Sequence, residues 1–286
     1  MKGIVLAGGT GSRLWPITRS VSKQLLPVYD KPMIYYPIST LMLAGIREIL
    51  IITTPHDQPQ FKELLSDGSE LGVTFHYATQ PEPKGLAQAF IIGEEFLCGD
   101  SCLMVLGDNI FHGSGLGRDI ARDLPNAGAH IFTYEVSNPS DYGILELDQN
   151  RKPVSITEKP SDFISNLAVT GLYFFDEEVS EIAKNVLPSK RGEVEITSVI
   201  DHYLKSGTLT FTELSRGSAW LDTGNANSLS DAISYVRIIE ERTGLKIGCI
   251  EEIAWRNKWI DINQLQSLVK KFGPKNSYGQ YLERLV

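Results

Sequence analysis

The chain has 286 residues, enough for a sizeable buried core in one large domain or a domain with an appendage. Hydrophobic residues make up 42% and charged residues 22%, which excludes wholesale disorder. With 27 Lys+Arg against 35 Asp+Glu the net charge is −8. That field argues against nucleic acid as the main partner, but a small phosphorylated ligand needs only a local cluster of donors.

Along the first half, Gly3–Ala7, Ile49–Thr53, Val73–Tyr77, Cys102–Leu106 and Ile131–Val136 read as strands rich in Ile, Val, Leu and aromatics. Helical patterns over Pro32–Ala44, Gln58–Leu65, Leu86–Leu97 and Leu116–Leu124 lie between them. This alternation predicts an α/β fold with a mostly parallel, partly mixed sheet covered on both faces. Past residue 140, Gly143–Leu147, Val154–Thr157 and Val169–Phe175 are strand-like, and Asp148–Pro153 reads as a hairpin turn. Helices at Glu177–Val186 and Glu195–Lys205, strands at Leu209–Leu214 and Ala219–Leu221, and a helix over Asn227–Arg242 follow. We expect one domain over 1–242, with 243–286 as a small C-terminal helical appendage packed on it. Ligands of such sheets bind beyond the carboxyl ends of the strands.

Cys98, Cys102 and Cys249 form no disulfide framework and match no zinc spacing, so buried thiols in a reducing compartment are expected. The apolar run before Gly8 is too short for a signal peptide, and no segment is long enough to span a bilayer. A soluble cytoplasmic protein without membrane contact is the expectation. The five His show no metal spacing, and no G-x-S-x-G elbow appears.

Directly after the first strand stands Gly8-Gly9-Thr10-Gly11-Ser12-Arg13-Leu14. Glycines there let the backbone turn and aim N–H groups at a phosphate. No Lys follows as in a P-loop, and Leu14 replaces the third glycine of a dinucleotide fingerprint. An ordinary strand-to-loop turn is the alternative, but three glycines followed by an Arg suited to bidentate phosphate contact favour phosphate binding. Ten residues on, Ser22-Lys23-Gln24-Leu25-Leu26-Pro27 offers Lys23 as a second cation, although a lone Lys is usually a solvated charge.

Together with Asp30-Lys31-Pro32-Met33-Ile34, Gly85-Leu86-Ala87-Gln88-Ala89, Val105-Leu106-Gly107-Asp108-Asn109, Glu158-Lys159-Pro160, Val169-Thr170-Gly171-Leu172-Tyr173 and Trp220-Leu221-Asp222-Thr223-Gly224, these segments resemble the sugar-1-phosphate nucleotidyltransferases. Within that family the likeness is greatest to members that act on dTTP and glucose 1-phosphate at the head of dTDP-rhamnose synthesis. Thr10 and Ser12 stand where Ser and Thr are commoner, and each place keeps a hydroxyl. The resemblance implies a single Rossmann-like nucleotidyltransferase domain making dTDP-glucose and pyrophosphate with Mg²⁺. UTP or another sugar phosphate remains an alternative, as does, in a different class, a nucleotide-sugar binding module without catalysis.

Residue by residue, the resemblance gives Arg13, Lys23 and Lys159 catalytic roles. It places the nucleotide on Gly8, Gly9, Thr10, Gly11, Ser12, Arg13, Gln24, Gln80, Gly85 and Asp108, and the sugar on Asn109, Tyr142, Gly143, Glu158, Lys159 and Val169. Gln80 precedes Pro81-Glu82-Pro83-Lys84-Gly85, and its amide can both donate and accept, as a uracil or thymine edge requires. Asp108 and Asp222 follow separate strands. Mg²⁺ takes one or two carboxylates plus substrate phosphates, so they suit a shared ion, whereas on sequence alone a turn-forming Asp at each place is as good a reading. Glu158-Lys159-Pro160 reads on its own as a charged loop that stops a strand.

The resemblance also implies a homotetramer inhibited by the pathway's end product, dTDP-rhamnose, at a second site matched by Gly115, Arg216, Gly217, Glu252 and Arg256. In the same stretch Trp255 and Trp259, at i and i+4, are expected to lie on one helix and pack on the domain.

Overall fold

The computed structural model describes residues 1–189 and 192–286. Its first half runs β1 (Lys2–Ala7), three 3₁₀ turns (Ser12–Leu14, Ile17–Arg19, Lys23–Leu25), the ribbon β2 (Pro27–Val28) and β3 (Lys31–Pro32), then α1 (Tyr35–Leu43). It continues through β4 (Glu48–Thr53), α2 (Gln58–Leu65), β5 (Thr74–Thr79), α3 (Gln88–Ile92), α4 (Glu94–Leu97), β6 (Cys102–Leu106), β7 (Asn109–His112) and α5 (Leu116–Asp123). The second half runs β8 (Ala129–Glu135), β9 (Gly143–Leu147), β10 (Pro153–Glu158), β11 (Leu167–Phe175), α6 (Val179–Asn185) and α7 (Ile196–Lys205). It ends with β12 (Leu209–Glu213), β13 (Ala219–Asp222), α8 (Ala226–Thr243), α9 (Ile250–Arg256), α10 (Ile262–Phe272) and α11 (Ser277–Glu283).

Ile4, Val5, Leu6 and Ala7 are all buried because β1 lies mid-sheet, flanked in parallel by β4 and β6 and covered on both faces. The sheet order is β10-β9-β11-β6-β1-β4-β5, with β8 joined to β11 and β12. The strands β6, β1, β4 and β5 are parallel, whereas β11 runs antiparallel to β6, with Leu172 opposite Val105. The start of β11 therefore lies beside the carboxyl end of β6. This change of direction places residues from both halves of the chain at one sheet edge. A separate ribbon pairs β7 with β13, setting Asn109 opposite Asp222.

Several expectations need correction. Pro32 belongs to β3 opposite Pro27, so α1 starts at Tyr35. The helix expected over Leu86–Leu97 is two short helices that meet at Gly93. Cys98 is exposed, closing α4 in a left-handed conformation, and only Cys102 and Cys249 are buried. Trp259 lies beyond the end of α9, after a left-handed Lys258, although both it and Trp255 pack against the core.

The C-terminal helices share the main core. Ile250, Ala254, Leu265, Leu268, Tyr278 and Leu282 belong to the same buried cluster as Val5, Ile51 and Val105. Burying a Leu- or Ile-sized side chain contributes about 1.5–3 kcal/mol. A buried ion cluster ties the preceding segments together. Lys31 Nζ reaches Glu240 Oε1 on α8 at 2.8 Å and Asp30 at 2.5 Å, and Lys246 pairs with both carboxylates. Among the described residues, no helix is long and apolar enough to cross a membrane.

Candidate active site

The glycine loop leaves β1 at the sheet edge. Gly11 sits in the left-handed region with φ 58°, its carbonyl accepting from Thr18 Oγ1 (2.7 Å) and from Leu14 N (2.9 Å). Leu14 is buried beneath the loop, which anchors its far end. Gly8 is needed for a different reason: a Cβ there would stand 2.5 Å from Gln80 Oε1.

Gly8, Gly9, Gln24, Gln80, Gly85, Leu86 and Asp108 line one cavity of about 250 Å³. A second, of about 170 Å³, is lined by Arg13, Asn109, Tyr142, Gly143, Glu158, Val169 and Asp222, and shares Leu86, Leu106 and Asp108 with the first. The two form one cleft with Asp108 at their junction. A third cavity, which shares Gly9 with the first, is lined by Thr10, Arg19, Lys23 and His56.

At the first end, Gln80 is buried, and its backbone N–H donates to Thr53 O at 2.8 Å. Its side-chain nitrogen donates to Gln88 Oε1 (2.8 Å) and to Gly85 O (3.3 Å). The donor half of the amide is thus committed within the protein, and its carbonyl half adjoins Gly8. Gly85 has φ 106°, and a Cβ there would come within 2.3 Å of Val194 O. Only glycine fits both that dihedral and that approach.

At the junction, Lys23 Nζ pairs with Asp108 Oδ2 at 2.6 Å, and Asn109 Nδ2 donates to Asp108 Oδ1 at 2.8 Å. Thr223 clasps the same residue, its N–H and hydroxyl both donating to Asp108 O at 3.1 and 2.9 Å. Asp222 is held across the ribbon by β7. Burial and the neighbouring Asp108 charge hold its pKa above the usual carboxylate range, against the opposing pull of Lys23 and Arg13. Asp108, in the turn between β6 and β7, and Asp222, at the end of β13, bring two carboxylates together from distant parts of the chain, a donor set that suits a divalent cation with oxygen ligands.

At the far end, Trp220 Nε1 donates to Asn109 Oδ1 at 2.6 Å, and Tyr142 packs against the same indole with ring centroids 5.1 Å apart. Lys159 donates its N–H to Tyr142 O at 2.9 Å from a left-handed backbone with φ 45°, and its side chain is exposed beside Glu158 rather than among the lining residues. Ser12 is also exposed and outside the cavity walls.

Of the proposed second-site residues, Glu252 and Arg256 are paired at 2.6 Å and line a cavity of about 210 Å³ with His112, Gly113 and Lys246. Gly115, Arg216 and Gly217 do not line it. Sequence reading assigned no role to Gln88, Asp141 or Trp220. Gln88 and Trp220 stood inside quoted motifs. Asp141, which lines the sugar end, carried no signal beyond its place before Tyr142.

Comparison with known proteins agrees with this geometry. Residues 2–237 match the family model for nucleotidyl transferases. The chain is 54% identical over its full length to the glucose-1-phosphate thymidylyltransferase of Neisseria meningitidis serogroup A, spanning 99% of that protein. It is equally identical, again over its full length, to the Mycobacterium tuberculosis protein of the same name, spanning 99% of that one. A crystal structure from Bacillus anthracis assigned to the same enzymes, with sucrose bound, superposes with a TM-score of 0.77 at 41% identity, covering 83% of this chain and 95% of that one. The full-length identity, the family match and the strand-edge cleft agree: the chain belongs to the nucleotidyl transferase family, among its glucose-1-phosphate thymidylyltransferases.

Proposed function

We propose that the chain transfers a thymidylyl group from dTTP to glucose 1-phosphate, with Mg²⁺, giving dTDP-glucose and pyrophosphate. The observation that carries this reading is the single cleft: a glycine-lined end with a buried amide continues past Asp108 into an end lined by side chains suited to a sugar. The base lies against Gln80 and Gly85, whose N–H has no acceptor among the described residues. The sugar lies among Asn109, Tyr142, Gly143, Glu158 and Val169.

An oxygen of the sugar phosphate attacks the α-phosphorus in line, and pyrophosphate leaves. The attacking phosphate is already an anion at neutral pH, so no general base is required. The barrier lies in bringing two anions together and holding the charge that develops, a task of positioning and electrostatics. Arg13 and the loop amides hold the triphosphate, and Lys23 adds charge beside Asp108. Lys159 swings from its exposed position onto the sugar phosphate. Asp108 and Asp222 would hold Mg²⁺, which when bound neutralises phosphate charge. Pyrophosphate release with dTTP, UTP, ATP, CTP and GTP, each with glucose 1-phosphate, tests the reading. No release with dTTP overturns it.

We also propose that the protein is a cytoplasmic homotetramer at the head of the dTDP-rhamnose route, inhibited by dTDP-rhamnose. The cavity lined by Glu252 and Arg256 supports a second site there, whereas Gly115, Arg216 and Gly217 lie outside its lining. An inhibitor there must prefer the less active state. Arg256→Ala is expected to weaken inhibition at least tenfold with uninhibited turnover unchanged. Inhibition purely competitive with dTTP and unaltered in the variant would remove the second site.

A further inference from the structure

We infer that Gln88 selects the nucleobase at second hand, by locking the amide of Gln80 so that the site presents an acceptor to the base ring. This rests on the reading that the cleft's first end holds the base of a nucleoside triphosphate.

The orientation of a glutamine amide is decided by its partners. Backbone N–H groups only donate and carbonyls only accept, and these fixed groups settle both side chains. Lys84 N donates to Gln88 at 3.2 Å, so the atom it meets is Gln88 Oε1. That oxygen lies 2.8 Å from Gln80, so the facing atom of Gln80 is its nitrogen. Gly85 O, 3.3 Å from the same nitrogen, takes a second donated hydrogen bond. Both hydrogens of the Gln80 amide are thereby occupied. Turning the amide over would set Gln80 Oε1 against two other oxygens and leave part-buried polar groups unpaired, so the observed orientation is the stable one.

Gln80 Oε1 is left adjoining Gly8, within the lining of the cleft, and no group among the described residues donates to it. An acceptor held in one direction pairs with a ring N–H, which thymine and uracil carry at N3. Cytosine presents a lone pair at that position, so it meets oxygen against nitrogen with no proton between. Rejection of a base by a group that cannot turn is stronger than the loss of one bond, because the group cannot adapt to the wrong partner. Gln88 is a positioning residue here, since it acts on the base only through Gln80.

The test compares kcat/KM for dTTP, dUTP and dCTP with glucose 1-phosphate in the wild-type enzyme and in Gln88→Met, Gln88→Ala and Gln88→Glu. Met removes the acceptor at similar volume, and Ala serves where Met impairs folding. Glu keeps the acceptor for both Lys84 N and Gln80. The dTTP:dCTP ratio is expected to fall at least tenfold in the Met and Ala variants and to stay near wild type in Gln88→Glu, with the dTTP:dUTP ratio unchanged in all three. A dTTP:dCTP ratio unaltered in folded Met and Ala variants overturns the inference, as does a dTTP:dUTP ratio that shifts by the same factor, the mark of a merely loosened pocket. A wild-type enzyme that turns over neither dTTP nor dUTP would instead overturn the base-site reading on which this rests.

Discussion

At the end of the cleft that follows the parallel strands, glycines open part of the wall to the main chain. Gly8, Gly9 and Gly85 bring the main chain to the cavity, and added Cβ atoms at Gly8 and Gly85 would meet Gln80 and Val194. At the end walled by the antiparallel strands, Tyr142, Glu158, Val169, Trp220 and Asp222 project side chains from β9, β10, β11 and β13 or the residues beside them. A parallel strand delivers a loop and helix start at the sheet edge, well suited to a phosphate chain. Antiparallel strands deliver alternate side chains, suited to reading hydroxyls one at a time. The first end should therefore be broken by adding atoms, the second by removing them, and the junction by changing charge.

The largest effect is expected at the junction. Asp222→Asn should lower turnover by about 10²–10³-fold or more, the scale of removing one electrostatic stabiliser. Its stability should move the other way. Because burial and Asp108 raise the folded-state pKa above the unfolded value, the ionised form is disfavoured by folding. That penalty grows as pH rises through the window between the two values and persists at pH 7. The Asn variant should therefore melt no lower than wild type at pH 7 and show a smaller loss of stability between pH 4 and pH 7. Near-normal turnover would remove Asp222 from the junction.

The next effect tests the backbone wall. Gly85→Ala forces a Cβ against Val194 O and a non-glycine residue into φ 106°. Strain of about 1–3 kcal/mol corresponds to roughly 5–150-fold. The loss should appear as a higher KM for dTTP, with KM for glucose 1-phosphate changed much less. Equal changes in both constants would show that this loop supports the whole cleft rather than the base end.

At the other end, Glu158→Ala removes atoms and should raise KM for glucose 1-phosphate about 10-fold or more, as for one charged hydrogen bond of about 1.5–3 kcal/mol. KM for dTTP should stay within about twofold. A selective rise for dTTP would reverse the assignment of the two ends.

The same contrast explains what could be read in advance. Gly8 to Leu14 and Ser22 to Pro27 are contiguous, so the backbone end leaves motifs in the sequence. The strand periods were equally plain, and β6 and β9 match the expected bounds. The pairing of β7 with β13 was not legible, because residues 109 and 222 meet only through the fold. Asp141 escaped notice for the same reason. The part played by Gln88 depends on a hydrogen-bond chain through Lys84 N that no spacing announces. The C-terminal helices pack on the domain as expected, but amphipathic helices do not state which surface they cover, and here Ile250, Ala254 and Leu265 join the buried cluster that holds Val5.

The smallest effect on catalysis, and a control on the whole scheme, concerns His130 on β8, in the seam between β11 and β12 and outside the cleft lining. Its ring nitrogens lie 2.7 Å from Thr210 Oγ1 and 3.0 Å from Thr212 Oγ1. Burial lowers its pKa from 6.5 to about 4, against a weaker opposing pull from Asp123. Between these values the unfolded chain binds a proton that the folded chain refuses, so stability is full above pH 6.5 and falls as pH drops toward 4. With the ring buried, a shift of that size corresponds to about 2–3 kcal/mol between pH 7.5 and pH 4.5. His130→Gln keeps hydrogen-bonding groups at the seam without a titrating ring. Urea unfolding at pH 7.5 and pH 4.5 should show wild type losing that much more than the variant, while the KM values and turnover of the two at pH 7.5 agree within about twofold. Equal losses of stability would mean that the seam tolerates a charged imidazole, and the pH sensitivity of the antiparallel half would then have to lie elsewhere.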